Sequence, residues 1–421
     1  MRNLILILSI SLLTFVSHAQ TSAPITLEAC QLQAQENYPL VKQRELMAKS
    51  KTYAVENVSK GSLPQVGIFG QATYQSDVTQ IPIHVPGTDV PTISKDQYKL
   101  YGEINQPLTD LITVRQQKQV QEINSTIQEQ NLEIEIYKLK DRINQLFFGA
   151  LLVEEQLKQN ELLRNDIQTG IAKVNAALSY GTELKSNLDK LKAEVLKTDQ
   201  RTIELKASRK AYLDMLGLFI NQTLNETTIL QRPEAVATTE VISRPELKLY
   251  DYQKQSYDVQ NKLINTRNLP KFGLFLQGGV GRPSPVNMLS NDLSSYYIGG
   301  IKLNWSLSSI YTSGREKQII SINQRLVDAQ RETFLFNTNL SLKQQNSEMV
   351  RLQQLISTDD DIISLRAEVK KASNVQLENG VITVNDFVRE VNAEDQARQN
   401  KLLHETQLLM AQYSHQNTTG N

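Results

Sequence analysis

The sequence predicts a mainly α-helical chain with four β-strands, transmembrane if several chains share one barrel, built as two tandem helix–strand–strand–helix units. Three observations predict it: an internal duplication, helical stretches far longer than a compact domain uses, and four segments of period two. The chain has 421 residues, 45 Lys+Arg against 45 Asp+Glu, four histidines and one cysteine. A formal net charge of zero lacks the clustered cations that neutralise phosphates, so nucleic acid is set aside as a partner. One cysteine forms no internal disulfide and four scattered histidines supply no His/Cys zinc cluster, so no metal or cofactor is expected.

Residues 1–19 read as a secretory signal peptide. Arg2 precedes an apolar run from Leu4 to Val16, and Ser17-His18-Ala19 puts small residues where cleavage before Gln20 needs them. The run is shorter than the roughly 18–20 residues of a spanning helix, although an N-terminal anchor is the competing reading. Cys30 lies too far downstream to carry a lipid and reads as a small buried residue. Past the leader no apolar run reaches spanning length, so the chain is either soluble or crosses a membrane as strands.

The duplication is visible as paired segments. Tyr38-Pro39-Leu40-Val41-Lys42 resembles Arg244-Pro245-Glu246-Leu247-Lys248, and Leu63-Pro64-Gln65-Val66-Gly67 resembles Leu269-Pro270-Lys271-Phe272-Gly273 at a similar distance downstream. Tyr180-Gly181-Thr182 matches Asn379-Gly380-Val381, and Arg115 matches Arg315. The first repeat is assigned to 20–220 and the second to 244–413, with 221–243 as a linker lying on the helices and 414–421 as a polar C-terminal tail.

Each repeat should open with a helix, the first over about Thr26 to Lys60. Strands follow at about 64–75 and 97–108, and again at about 270–281 and 296–306. A very long helix, from about Asp110 to Leu178 in the first repeat, then leads to turns near Gly181 and Gly380 and to return helices, the first at about Glu183 to Phe219. The long helix lacks proline and holds only Gly149 and Gly170. Ile136, Leu139, Ile143, Leu146, Ala150, Val153 and Leu157 alternate three and four apart, as a coiled-coil seam does. Leu335, Leu342, Met349, Ile356 and Ile363 keep a seven-residue step in the second copy. Roughly 68 helical residues at 1.5 Å each reach about 100 Å, so an elongated molecule is expected.

In the strands, Phe272, Leu274, Leu276, Gly278 and Val280 alternate with Lys271, Gly273, Phe275, Gln277 and Gly279. Tyr297, Gly299, Ile301, Leu303 and Trp305 form a second apolar face, with Tyr297 and Trp305 suited to an interfacial aromatic girdle. A half-buried sheet in a soluble α+β domain has the same period. Ten-residue strands suit a bilayer, yet four cannot close a barrel, and lipid does not tolerate an open edge. Several chains would have to share one barrel. Residues 76–96, with Pro82, Pro86, Gly87 and Pro91, and 281–295, with Gly281, Pro283 and Pro285, read as exposed loops.

On these residues the chain from about Thr26 to Tyr413 resembles a TolC-type outer-membrane efflux protein. The duplicated Leu-Pro-x-x-Gly strand starts at Leu63 and Leu269, the Gln106-Pro107-Leu108 strand exit, and the turns at Gly181 and Gly380 carry the resemblance. It implies a homotrimer with a twelve-stranded outer-membrane barrel on an α-barrel projecting into the periplasm. It also implies a passive exit duct that docks on a periplasmic adaptor protein and an inner-membrane pump, in efflux or type I secretion, with no catalysis of its own. The family narrows to a gate at the glycine turns, where a Thr or Ser, an Asp and often a second Asp follow the glycine by three, six and nine. Here those positions hold Thr383, Asp386 and Arg389, against Ser186 and Asn187 around the six-on position of the first copy. Three copies of Asp386 would form an acidic ring that attracts cations and raises its own pKa values by repulsion. Arg389 departs from the pattern and, within reach of Asp386 or Glu390, opposes that field.

Asp359-Asp360-Asp361 cannot converge on one ion, because successive helical residues point about 100° apart, and reads as a solvated face. His84, His404 and His415 have no acid or nucleophile at motif spacing, so no enzyme is expected. A soluble periplasmic adaptor would show one helical hairpin rather than two, and a structural coiled-coil envelope protein leaves the four strands unexplained.

Overall fold

A computed structural model describes residues 24–79 and 92–421; residues 1–19, expected to be a signal peptide, with His18, and His84 and the prolines at 82, 86 and 91 lie outside them. The element order is α1 (Leu27–Asn37), α2 (Lys42–Ser59), β1 (Gln65–Tyr74), β2 (Asp96–Pro107), α3 (Asp110–Tyr137), α4 (Leu139–Ser179), α5 (Lys185–Ile220), α6 (Pro245–Arg267), β3 (Lys271–Arg282), β4 (Ser294–Asn304), α7 (Ser309–Glu378) and α8 (Val384–Thr419). The chain divides into two compact units, each assembled from three separated segments.

One unit contains Pro39–Lys138, Thr239–Gln344 and the last five residues. Its sheet runs β1-β2-β3-β4 with every pair antiparallel, so β2 and β3 join the two repeats directly. Register puts Val66, Ile68, Leu100, Ile104, Leu274, Leu276, Val280 and Ile301 on one face, where all are exposed. The helices follow in the same order. Arg44 of α2 grips Glu133 of α3 with 2.8–2.9 Å hydrogen bonds, Gln130 of α3 donates to the Pro245 carbonyl of α6 at 2.8 Å, and Lys254 of α6 pairs with Asp328 of α7 at 2.7 Å.

The other unit holds α1, α4, α5, residues up to Thr238, the end of α7 and most of α8. Leu27, Cys30, Ala34, Phe147, Phe148, Leu213, Leu216 and Tyr413 form one core cluster. Burial pushes the Cys30 thiol up to about 12, which leaves it protonated and inert. The stretch after α5 joins this core: Leu224 and Leu230 are buried, and Ile25 and Leu230 form a parallel bridge. Arg209 clamps it by donating to the carbonyls of Glu226 and Thr228 at 3.0 and 2.7 Å.

Four expectations are corrected. The first helix is not continuous over Thr26–Lys60, because Pro39 forces Tyr38 into an extended conformation with ψ 131°. Pro245, at the matching place in the second repeat, instead opens α6 from an extended Arg244. The long helix of the first repeat breaks at Lys138, beside Tyr137, whose hydroxyl donates to the Asn417 carbonyl at 2.7 Å. Residues 414–419 are no polar tail but the end of α8, with His415, Asn417 and Thr419 buried. Hydrogen bonding makes that burial affordable: the Ser243 N–H donates to the Thr419 carbonyl at 2.6 Å and Arg244 to the Asn417 carbonyl at 3.0 Å. Asp359 is not solvated either. It is 7% exposed and meets His404 Nδ1 of α8 at 2.6 Å, so the acid that spacing could not supply comes from another helix.

Candidate functional site

The two glycine turns have one geometry. Gly181 and Gly380 take φ +72° and +66°, the left-handed region that any side chain would strain. The Gly181 N–H donates to Leu178 O and the Thr182 N–H to Ala177 O, both at 3.0 Å. Gly380 N–H to Leu377 O at 3.1 Å and Val381 N–H to Gln376 O at 2.8 Å repeat the pattern. These are Schellman caps, which satisfy the last carbonyls of α4 and α7. A Cβ on either glycine would meet nothing within 4 Å, so both turns are open.

The starts of the return helices differ. Thr383 caps α8: its Oγ1 accepts from the Asp386 N–H at 3.2 Å, while Asp386 Oδ2 accepts from the Thr383 N–H at 3.2 Å and hydroxyl at 2.7 Å. This is a capping box with Asp in the reciprocal place. The first repeat has Leu184 there, with no side-chain cap. Glu183 substitutes in part, accepting from the Leu184 N–H at 3.1 Å and from Asn187 Nδ2 at 2.8 Å, while Ser186 stays exposed on the first turn.

Arg389 engages both acids in its reach, Asp386 at 3.6 Å and Glu390 at 3.2 Å. Glu390 also accepts from Arg366 of α7 at 3.2 Å. Within one chain the Thr383 hydrogen bonds, then the Arg389 charge, hold the Asp386 carboxyl below the usual range. That direction opposes the rise expected from a ring of like charges.

Residues below the turns, not singled out in the sequence, hold the four helix ends together. Leu163, Ile167, Val174, Leu188, Leu191, Leu377, Val384, Phe387 and Val391 form a core drawn from α4, α5, α7 and α8. Gly170 makes room for Phe387, since a Cβ there would fall 2.9 Å from its ring. A glycine inside a long helix was the available signal. Lys370 of α7 bridges Asp166 of α4 at 2.9 Å and Glu394 of α8 at 2.5 Å. Burial alone would raise the Glu394 pKa, but Lys370 and Arg398 overcome it and keep it ionised.

The girdle candidates Tyr297 and Trp305 sit toward opposite ends of β4. Tyr297 lies on the apolar face, 81% exposed, and Trp305 Nε1 donates to the Asn268 carbonyl at 3.1 Å just past the strand.

No protein-family model and no curated protein matches the chain. Solved structures do. A membrane protein from Pseudomonas aeruginosa superposes with TM-score 0.69 at 11% identity, over 94% of this chain and 90% of its own. CusC, described for its folding and transmembrane channel formation, gives TM-score 0.68 at 12% identity over 94% and 92%. The CmeC outer membrane channel of Campylobacter jejuni gives 0.64 at 11% identity over 94% and 85%. The chain shares the fold of these proteins.

Proposed function

We propose that this chain, which has the fold of outer-membrane channels, works as the trimeric exit duct of an efflux or type I secretion system, taking substrates from a periplasmic adaptor and an inner-membrane pump. The sheet carries the reading. Its large apolar side chains are exposed on one face, and β1 and β4 are edge strands. Water penalises such a face and lipid does not tolerate such edges, and both problems end if three sheets close one twelve-stranded barrel. Light scattering on the detergent-extracted mature protein, corrected for bound detergent, is expected to give a trimer that fractionates with the outer membrane. A detergent-independent soluble monomer would overturn the channel.

We further assign the gate and the adaptor-facing tip to Gly181, Ser186, Asn187, Gly380, Thr383, Asp386 and Arg389. The openness of both glycine turns supports a docking role. Asp386 is proposed to face a narrow axis in three copies, with its charge offset by Arg389. Asp386→Lys is expected to cut cation preference in planar-bilayer recordings and to raise basal conductance, because the capping box is lost with the charge. Unchanged conductance and selectivity would remove Asp386 from the gate.

A further inference from the structure

The face of the sheet opposite the apolar one is expected to be polar in a water-filled barrel, yet one row across it is aromatic. Register aligns Phe69 of β1 with Tyr101 of β2, Tyr101 with Gly279 of β3, and Gly279 with Tyr296 of β4. The Phe69 and Tyr101 rings stack with centroids 5.3 Å apart and an interplanar angle of 25°. Phe69 remains 47% exposed, a large apolar ring presented on the face that should be wet. Tyr296 is buried and closes the row on its far side.

Phe69 covers Tyr101 on the β1 side, whereas the strand on the other side offers only Gly279. No side chain fits there, since a Cβ would lie 2.5 Å from both Cα and Cβ of Tyr101. Residue 279 itself therefore places no side chain beside the tyrosine on its β3 side. Two residues along β2 in either direction, on the same face, stand opposite charges. Glu103, toward α3, accepts from Gln277 Nε2 at 2.7 Å, and Lys99 stands toward the loop end. A cationic group beside this row is drawn to Glu103 and repelled by Lys99, while a planar ring stacks on the aromatic pair.

Resting on the channel reading above, we propose that Phe69, Tyr101 and Glu103 form a wall subsite for planar aromatic cations, repeated three times around the barrel at one level. The ring lies on the Phe69–Tyr101 pair, the cation points toward Glu103, and Gly279 provides the clearance. Transit through the duct is thereby biased toward solutes that carry both features.

The test is block of single-channel current in planar bilayers by ethidium, against tetrabutylammonium as a cation without a ring. Ethidium is expected to half-block wild type at the lower concentration. Tyr101→Leu should raise the ethidium value by about fivefold, in line with the loss of one stacking and cation–π partner, and leave tetrabutylammonium unaffected. Phe69→Leu, at an exposed position, gives the same reading if Tyr101→Leu does not assemble. Glu103→Gln should weaken ethidium block as well. Equal block by the two cations, or block that survives both ring substitutions, overturns the subsite while the conductance itself leaves the channel reading standing. Ring substitutions that matter without any effect of Glu103→Gln overturn the cation assignment. A wild-type protein that conducts no current overturns the channel reading and the subsite with it.

Discussion

Leu276→Arg is expected to abolish assembly of the protein in the outer membrane, while Gln277→Arg next to it is tolerated. Leu276 lies midway along β3, half exposed, on the face with Ile104 and Val66 in the same row. An arginine at the midplane of a lipid-facing strand costs about 2–4 kcal/mol, and a trimer incurs that three times. Gln277 points to the opposite face and already donates to Glu103 at 2.7 Å, so an arginine there gains an ion pair in water. Outer-membrane fractionation of trimer, quantified for both variants, is the measurement. Equal yields would mean the two faces are assigned the wrong way round, or that the sheet meets no lipid.

The second large effect is expected at the helix tips. Phe387→Ala should destabilise the core under the glycine turns by about 3–5 kcal/mol, the usual loss for a buried phenylalanine. Gly170→Leu should cost about 1–3 kcal/mol by overpacking, since even a Cβ comes within 2.9 Å of the Phe387 ring. Both single variants are expected to become sensitive to protease between residues 360 and 395 and to lower the melting temperature. The double variant should recover part of the loss, because the leucine fills the space the phenylalanine leaves, with a coupling of about 1 kcal/mol or more. Strict additivity would show that α4 and α8 do not meet at these residues.

Much of the architecture was legible because it follows from local rules. A period of two over ten residues marks a strand with two unlike faces, and β1 to β4 fall within two residues of the expected bounds. Glycine followed by a new helical period marks a left-handed cap, and Gly181 and Gly380 both adopt it. Pro39 was equally legible, since the residue before proline avoids the helical region, and Tyr38 is extended there. The capping box of α8 could have been read from Thr383 and Asp386 three apart, a spacing with a known mechanism.

Contacts between distant segments obey no such rule. Asp359 and His404 are 45 residues apart, and Lys370 and Asp166 are 204 apart. In the sequence each is one more charge on a helix, and only the packing of α4, α7 and α8 makes pairs of them. The aromatic row needs β2 of one repeat to pair with β3 of the other at a single register, because a shift by one residue sends every side chain to the opposite face. The buried end of α8 is polar in composition and becomes part of the fold because the Ser243 N–H and the Arg244 guanidinium donate to its carbonyls. By itself the sequence determined the duplication, the helical and strand periods, the glycine turns and the two-faced sheet, since each depends on backbone preference and spacing within one segment. Tertiary structure decided which charges pair, which polar residues are buried and which rings share a level, since those depend on distances that exist only once the segments have met.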